Sequence, residues 1–392
     1  MKKKIALLLI ALLILTAVPA AVWARVEILP DTNPEIIDTL EFKDIPSLVY
    51  NRNSMFIAAE NSLYTPGSGG AGAAFAGMIA QLQTASNTYL TPQPDGSYAF
   101  GFGNPGSDTY KVAYDVFVLL NTQIATVQMQ AASLSATMSS VSGQLDSASL
   151  SVEKAGDSMV NAMESLYITY NSLRERRLAL EAKRALAEKG LTIARLQQQL
   201  GMNLDVDITL AEISLRELDD GLRQLRNSEE TLIRQLNVNI GQDAGHTMRI
   251  SEVPVISGDA ASRLDWEADA EKYSDQSYDV RSAVQADDDH GMAYARAGYK
   301  ESMRGLHLTL TDKQQAFSLA SAKHTAAQRQ FSFAELKYQL GMMAEVQYLA
   351  ERSTYRDAES AYKSAYNDFY QAYNNYEWGT LGLVVSSGGG AG

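Results

Sequence analysis

The stretch that decides the fold is Gln199-Leu200-Gly201-Met202-Asn203-Leu204-Asp205-Val206, which returns as Gln339-Leu340-Gly341-Met342-Met343-Ala344-Glu345-Val346. Five of the eight positions are identical when Gly201 is aligned with Gly341. Self-similarity at a fixed offset is the sequence signature of a duplicated unit. Because glycine readily takes the left-handed backbone that ends a helix, each copy predicts a long helix, a tight turn and a returning helix.

Seven-residue spacing on both sides of the turns predicts how these helices pack. The positions before the first turn are Leu166, Leu173, Leu180, Ala187 and Ala194; those before the second include Phe317, Phe331 and Tyr338; those after the second are Tyr348, Tyr355, Tyr362, Phe369 and Tyr376. The aromatic stripe is interpreted as helix packing and not as a ligand site. The predicted fold is all-α, with minor β possible: two tandem, long, antiparallel coiled-coil hairpins.

Breaks in this pattern divide the chain. We expect a signal peptide at 1–24, a first unit at 25–241 with a Gly/Pro-rich insertion at 64–108, and a linker at 242–265. A second unit at 266–383 and a flexible Gly-rich tail at 384–392 follow. The helix before the first turn could run from Tyr110 to Leu200, although the Ser/Gly-rich stretch from Ser139 to Gly156 could interrupt it.

The beginning of the chain predicts export. Three lysines precede an unbroken apolar core from Ile5 to Val18, and small residues follow at Val22 and Ala24. This core is shorter than the roughly 20 residues of a spanning helix, so a cleaved signal peptide is expected. The chain has no cysteine, which excludes a lipoprotein anchor and disulfides. Its net charge of −13 argues against nucleic acid as a partner.

The sequence nominates no catalytic, cofactor-binding or metal-binding residue. His246, His290, His307 and His324 lack the HExxH spacing of zinc proteases, and there is no cysteine to join them. The run Asp287-Asp288-Asp289-His290 is interpreted as a solvated helix face. We therefore predict that the protein is not an enzyme and needs no cofactor.

The paired turns resemble those of the TolC-like outer-membrane efflux protein family. Residues that carry the resemblance in the first unit are Gly201, Asp207, Ala211, Glu212, Leu236, Asn237 and Gly241; in the second they are Gly341, Leu349, Ala350, Glu351 and the Tyr/Ala-rich helix to Gly379. The resemblance implies an α-barrel made by a homotrimer in the cell envelope, in the outer membrane if the source has one. It also implies that the turns dock on a membrane-fusion adaptor served by an inner-membrane pump.

This resemblance assigns the docking role to the hairpin tips. The implied residues are Gly201, Asp205, Asp207, Gly341, Glu345 and Gln347. Gln347 departs from the pattern, because the family usually has a second acidic residue there.

Family members also carry barrel strands in each unit, and this chain leaves little room for them. Ser97 to Gly103 could form a strand, and the alternation of Leu306, Leu308 and Leu310 fits a strand or a helix. We therefore expect a short member with barrel strands reduced or absent. Two hypotheses stay open: an efflux or secretion duct, and a non-conducting coiled-coil scaffold of the envelope. The exported substrate and the pump stay undetermined.

Overall fold

The structure is a computed structural model that describes residues 36–64, 90–92, 98–100, 145–200 and 205–384, with isolated helical positions at 83, 87, 114, 117 and 121. The helices in chain order are α1 (Ile45–Arg52), α2 (Ser54–Tyr64), α3 (Leu145–Gln199), α4 (Asp205–Asn239), α5 (Trp266–Tyr273), α6 (Tyr278–Gln285), α7 (Asp289–Gln339) and α8 (Glu345–Thr380). The strands are β1 (Thr39–Leu40), β2 (Leu90–Pro92), β3 (Tyr98–Phe100) and β4 (Arg249–Ile250).

Two long helical hairpins dominate the described residues, as the repeat predicted. The first hairpin is α3 with α4, and the second hairpin is α7 with α8. The 55 residues of α3 extend about 80 Å at roughly 1.5 Å per residue. Leu306, Leu308 and Leu310, which fitted either a strand or a helix, lie within α7.

The four long helices follow one another in the order α4, α3, α8, α7, since α3 packs against both α4 and α8 while α8 packs against both α3 and α7. Neighbouring faces of α8 serve two apolar cores. Tyr370 and Trp378 join the core formed with α1 to α4, whereas Phe369 and Tyr376 join the core formed with α5 and α7. The helices α4 and α7 are therefore the two edges of an open layer.

The two hairpins meet along a polar seam between α3 and α8. Glu164 is 3% exposed, and its carboxylate accepts hydrogen bonds from Asn374 Nδ2 at 2.8 Å and Trp378 Nε1 at 2.6 Å. Farther toward the tips, Glu175 pairs with Lys363 Nζ at 3.0 Å. Because buried polar groups are costly unless their partners are in place, this seam fixes how the hairpins lie against each other.

The rings of the second hairpin form a continuous stack, which we call the aromatic column. In order from the tip, its members are Tyr338, Tyr348, Phe331, Tyr355, His324, Tyr362, Phe317 and Phe369. Neighbouring ring centroids are between 4.4 Å and 5.7 Å apart. The predicted aromatic stripe of α8 thus packs against rings from α7, and His324 occupies one position in the column.

The segment between the hairpins, which we call the connector (residues 242–265), is anchored to the start of the described chain. Its strand β4 pairs in parallel with β1, with Thr39 opposite Arg249 and Leu40 opposite Ile250. A second, antiparallel pair joins β2 and β3, so Tyr98 to Phe100 form a strand within the stretch 97–103 that could form one.

Three helices end in the same glycine turn, the Schellman motif. Gly241, Gly341 and Gly382 have φ angles of +72°, +71° and +94°. After α8 the Leu383 N–H donates to Trp378 O at 3.0 Å, so the capping glycine of the second unit is Gly382. Gly379, near which this unit was expected to end, lies one turn earlier inside α8 and packs against Met303 and Leu306.

Candidate docking surface at the hairpin tips

The tip of the second hairpin is a tight turn between the end of α7 at Gln339 and the start of α8 at Glu345. The Met342 N–H donates to Lys337 O at 2.8 Å, and the Gly341 N–H donates to Tyr338 O at 3.0 Å. These two bonds satisfy carbonyls that the end of α7 would otherwise leave without a partner. A Cβ added at Gly341 would meet no atom within 4 Å, so the positive φ alone favours glycine there.

Glu345 and Gln347 both help to begin α8. The Gln347 Oε1 accepts a hydrogen bond from the Ala344 N–H at 3.4 Å, which satisfies a backbone donor at the start of the helix. Glu345 is the first residue of α8, where a carboxylate is favourable to the helix dipole. The side chain that departs from the acidic pattern of the family, Gln347, thus has a capping role in this turn.

Glu345 also links the two hairpins. Its Oε2 lies 2.5 Å from Lys189 Nζ on α3, and both side chains are partly exposed. The sequence did not indicate this ion pair, which joins the tip of the second hairpin to the first.

The first tip is only partly described. Gly201 lies outside the described residues, Asp205 is the first residue of α4, and Asp207 lies in its first turn. The side chains of Asp205 and Asp207 also lie outside the description. Their part in an acidic docking surface stays a prediction from the resemblance.

Exposed apolar side chains are concentrated near both turns. Those of the first hairpin are Leu196, Leu200, Leu210 and Ile213; those of the second are Phe333, Leu336, Leu340 and Met342. Leu340 is 64% exposed and Met342 is 73% exposed. Large apolar residues grouped on a protein surface are typical of interaction sites. The tips therefore offer an apolar surface beside their carboxylates.

The helix α7 carries two apolar stripes, and α8 covers only one of them. The uncovered stripe, which we call the outer stripe, keeps heptad spacing and contains Leu308, Leu319, Ala322, Ala326, Phe333, Leu336 and the C-cap residue Leu340, with polar residues at Asp312, Gln315 and Arg329 between them. All seven apolar residues are exposed. At the other edge of the layer, α4 exposes Leu210, Ile213 and Val238.

The two edge helices carry opposite charge. Helix α4 has eight carboxylates and four arginines, which gives a net charge of −4. Helix α7 has four carboxylates and seven lysines or arginines, which gives +3 with neutral histidines. The edges are thus electrostatically complementary to each other.

The described residues contain no group of three or more His, Asp or Glu side chains that could hold a metal ion. Burial raises the pKa of Tyr167 and of Tyr373 to about 12, and Tyr167 is fully buried in the first core. In this part of the chain no helix is both long enough and apolar enough to cross a membrane.

Solved outer-membrane channels are similar to the chain over most of its length. The CmeC channel of Campylobacter jejuni is 12% identical, with 87% of this chain and 85% of that chain covered and a TM-score of 0.46. The OprN channel is also 12% identical, with coverage of 87% and 89% and a TM-score of 0.47. VceC of Vibrio cholerae is 10% identical, with coverage of 87% and 96% and a TM-score of 0.44.

This chain resembles TolC-like channels. No protein-family model matches it, and neither does any curated protein.

Sequence reasoning missed the apolar part of the tips. The resemblance assigned the docking role to Gly201, Asp205, Asp207, Gly341, Glu345 and Gln347, and it left out Leu340 and Met342 of the repeated stretch. The signal was available, because residues that flank a turn and recur in both copies are expected to be exposed by the turn. The outer stripe was missed for another reason, since a second heptad line of leucines and alanines is hard to distinguish from the first without knowing which face α8 covers.

Proposed function

We propose that this chain is one subunit of a TolC-like efflux or secretion duct of the cell envelope, in which copies stand side by side around a hollow helical cylinder. The outer stripe of α7 is the observation that carries the proposal. A heptad stripe is stabilising only when a partner helix covers it, because its free energy comes from apolar area removed from water. Among the described residues no long helix covers this stripe.

Helix α4 of a second copy fits the outer stripe better than helix α7 of a second copy does. Leu319 of α7 lies before Gly341, and Gln224 of α4 lies after Gly201, by almost the same number of residues. The two side chains are therefore at about the same height above the tips. Near the tips, Leu210 of α4 and Phe333 of α7 match in the same way. The edges carry opposite net charge, so α4 of one copy attracts α7 of the next. Such a head-to-tail contact repeats around a ring until it closes.

The stoichiometry and the partners come from the resemblance. Three copies would place six hairpins around the cylinder, and the tips would dock on a membrane-fusion adaptor served by an inner-membrane pump. We propose that the docking surface combines Asp205, Asp207 and Glu345 with the apolar Leu200 and Met342. Export by a signal peptide at 1–24 belongs to the same proposal.

Cysteine cross-linking tests the ring, because the chain contains no native cysteine. The variant Leu319→Cys/Gln224→Cys carries one thiol on each edge at matched heights. We expect a short bismaleimide to give a dimer and a trimer on denaturing gels, with no larger product. Each single variant alone should give no ladder, and mixing the two single variants should give a dimer.

The control is Leu319→Cys/Glu252→Cys, in which the second thiol lies on the exposed connector instead of on an edge. This variant should stay monomeric on the gel. An unlimited ladder from the edge pair would instead indicate an open array, which favours the coiled-coil scaffold. If the edge pair gave no cross-link at all, the duct would be refuted.

The tips need a separate test, in cells whose resistance depends on this protein. Replacing Leu200 and Met342 by serine should abolish resistance while circular dichroism stays helical, since these side chains are exposed and lie outside the outer stripe. Asp205→Lys/Asp207→Lys should do the same if the acidic residues dock. The matched control is Val284→Ser, an exposed apolar residue of α6 that lies outside both the tips and the outer stripe. Full resistance in both tip variants would show that the tips do not dock.

A further inference from the structure

A groove lies between α3, α8 and the connector, at the middle of the polar seam. Its cavity of about 210 Å³ is lined by Asn171, Arg174 and Glu175 of α3, by connector residues 252–255, and by Tyr362, Lys363 and Tyr366 of α8. Glu252 and Val255 at its mouth are largely exposed, so the groove is open to solvent. This groove is separate from the tips and from both edges.

The connector segment that covers the groove is hydrogen-bonded to the helices on both sides. The Ser251 carbonyl accepts from Asn171 Nδ2 at 3.0 Å, and the Glu252 carbonyl accepts from Tyr167 Oη at 3.2 Å. On the other side Tyr366 Oη donates to Pro254 O and accepts from the Ile256 N–H at 2.8 Å. The connector is thus tied to both helices, and the groove below it is pre-formed.

Asn171, which lines this groove, has a side-chain acceptor without a partner. Its side chain is 3% exposed, and both of its Nδ2 hydrogens are used, one by Ser251 O and one by Tyr167 O at 3.2 Å. These two carbonyls fix the orientation of the amide, because a flipped amide would place its oxygen against them. The Asn171 Oδ1 accepts no hydrogen bond and is buried. A donor from outside the chain, an ordered water or a ligand, would satisfy this oxygen.

Charges of both signs line the groove. Glu175 Oε1 lies 3.0 Å from Lys363 Nζ and 3.5 Å from Arg174 Nη2, and Arg174 also lies 3.5 Å from Glu252. The two cations and two carboxylates sum to zero, so a ligand with a single net charge gains little from them. A small zwitterion is complementary, since its anionic and cationic ends find partners at the same time.

We infer that this groove binds a free α-amino acid with an apolar side chain. The ammonium group donates to Asn171 Oδ1 and lies near the carboxylates, and the carboxylate lies near Arg174 and Lys363. The apolar side chain lies against Val253 and the ring of Tyr362. This inference does not rest on the proposed duct, because every group belongs to one chain.

Titration calorimetry of the purified full chain with three probes tests it. The probes are L-leucine, isopentylamine, which is leucine without its carboxylate, and 4-methylpentanoate, which is leucine without its amine. We expect saturable binding of one leucine per chain, with each half at least about tenfold weaker. An amine that binds as tightly as leucine would show a plain cation site and overturn the inference.

Variants then assign the contacts. Asn171→Leu and Lys363→Met should each weaken leucine binding by about tenfold or more. Their controls are Asn375→Leu and Lys313→Met: Asn375 Oδ1 already accepts from Gln371 at 2.9 Å, and Lys313 pairs with Asp368 at 3.0 Å outside the groove. Lys363→Met decides the matter if Asn171→Leu does not fold. No binding of any probe at millimolar concentration, or equal binding by Lys363→Met, would refute the amino-acid site and leave only ordered water there.

Discussion

The two hairpins share their turn sequence but not the chemistry of their seams. Aligning Gly201 with Gly341 places Arg177 at the position of Phe317, and Glu229 at the position of Phe369. In the first hairpin these residues form an ion pair, with Arg177 Nε 2.8 Å from Glu229 Oε1. In the second they form a ring stack with centroids 5.6 Å apart and planes 10° apart.

The next positions differ in the same manner. Arg184, which pairs with Asp219 at 2.5 Å in the first hairpin, corresponds to His324, which stacks on Tyr362 at 4.8 Å in the second. Leu191 corresponds to Phe331. The duplicated unit thus preserves helix spacing and turn sequence. The side chains that fill the seam between its two helices can change from ionic and aliphatic to aromatic. Heptad geometry requires complementary volume and satisfied polar groups, and not one particular chemistry.

The largest expected effect comes from placing the carboxylate of the Arg177–Glu229 ion pair at the corresponding position of the second hairpin, Phe369. Phe369 is completely buried, so Phe369→Glu places an unpaired carboxylate in an apolar core. We expect a loss of at least about 4 kcal/mol in the free energy of unfolding. The double variant Phe317→Arg/Phe369→Glu should recover part of it, which urea unfolding can measure. Equal stability of the single and double variants would show that the two positions do not meet.

The turns should respond unequally to the same substitution. At Gly241, which ends the first hairpin, an added Cβ would lie 2.6 Å from Arg52 O in addition to the strain of a positive φ. Gly241→Val should therefore cost about 3 kcal/mol, and Gly341→Val at the open tip only about 1 kcal/mol. Thermal unfolding followed by circular dichroism compares them. A larger loss at Gly341 would show that this tip is packed in the assembled protein.

The opposite change replaces the Arg177–Glu229 ion pair of the first hairpin by apolar side chains. Burial is the main cause that raises the pKa of Glu229, against the lowering effect of Arg177. A carboxyl with a raised pKa contributes most to stability below its unfolded value of 4.5, and that contribution falls as the pH rises through the folded value. Arg177→Leu/Glu229→Leu should be neutral or more stable by about 1 kcal/mol at pH 7.

The same double variant should depend less on pH just above 4.5, where the wild-type chain loses stability. Unfolding by urea at a series of pH values measures this. The single variant Arg177→Leu is the control, and it should be strongly destabilised because it leaves Glu229 buried without its cation. A double variant as unstable as this single variant would contradict the interpretation.

The smallest expected effect is at His324, the one imidazole in the aromatic column. Its Nε2 is buried without a hydrogen-bond partner. His324→Phe keeps the stack and removes the unsatisfied nitrogen, so we expect a gain of about 1 kcal/mol. Hydrogen exchange of the second hairpin measures it locally, with the first hairpin as the internal control. Faster exchange in the variant would show that the nitrogen has a partner in solution.

Local sequence rules predicted much of the fold. The repeat located the ends of α3 and α7, Gly341 has the positive φ that its place after a long helix required, and the aromatic stripe from Tyr348 to Tyr376 lies in a helix seam. These features depend on periodicity and on the conformation of a single residue, which the sequence records directly. The tip residues were only partly predictable, because the turn fixes where they lie but not which of their side chains pair with another helix.

The sequence by itself determined that the chain forms two long helical hairpins, whose first helices end at a fixed offset in Gln199 and Gln339. Only the tertiary structure decided that α3 meets α8, that Glu345 pairs with Lys189, that the connector strand β4 joins β1, and that Asn171 keeps an unpartnered oxygen. Each of these contacts joins residues distant in the chain. A heptad pattern states that a helix has a seam but not which helix will cover it, because the same stripe of leucines or alanines packs equally well against several partners.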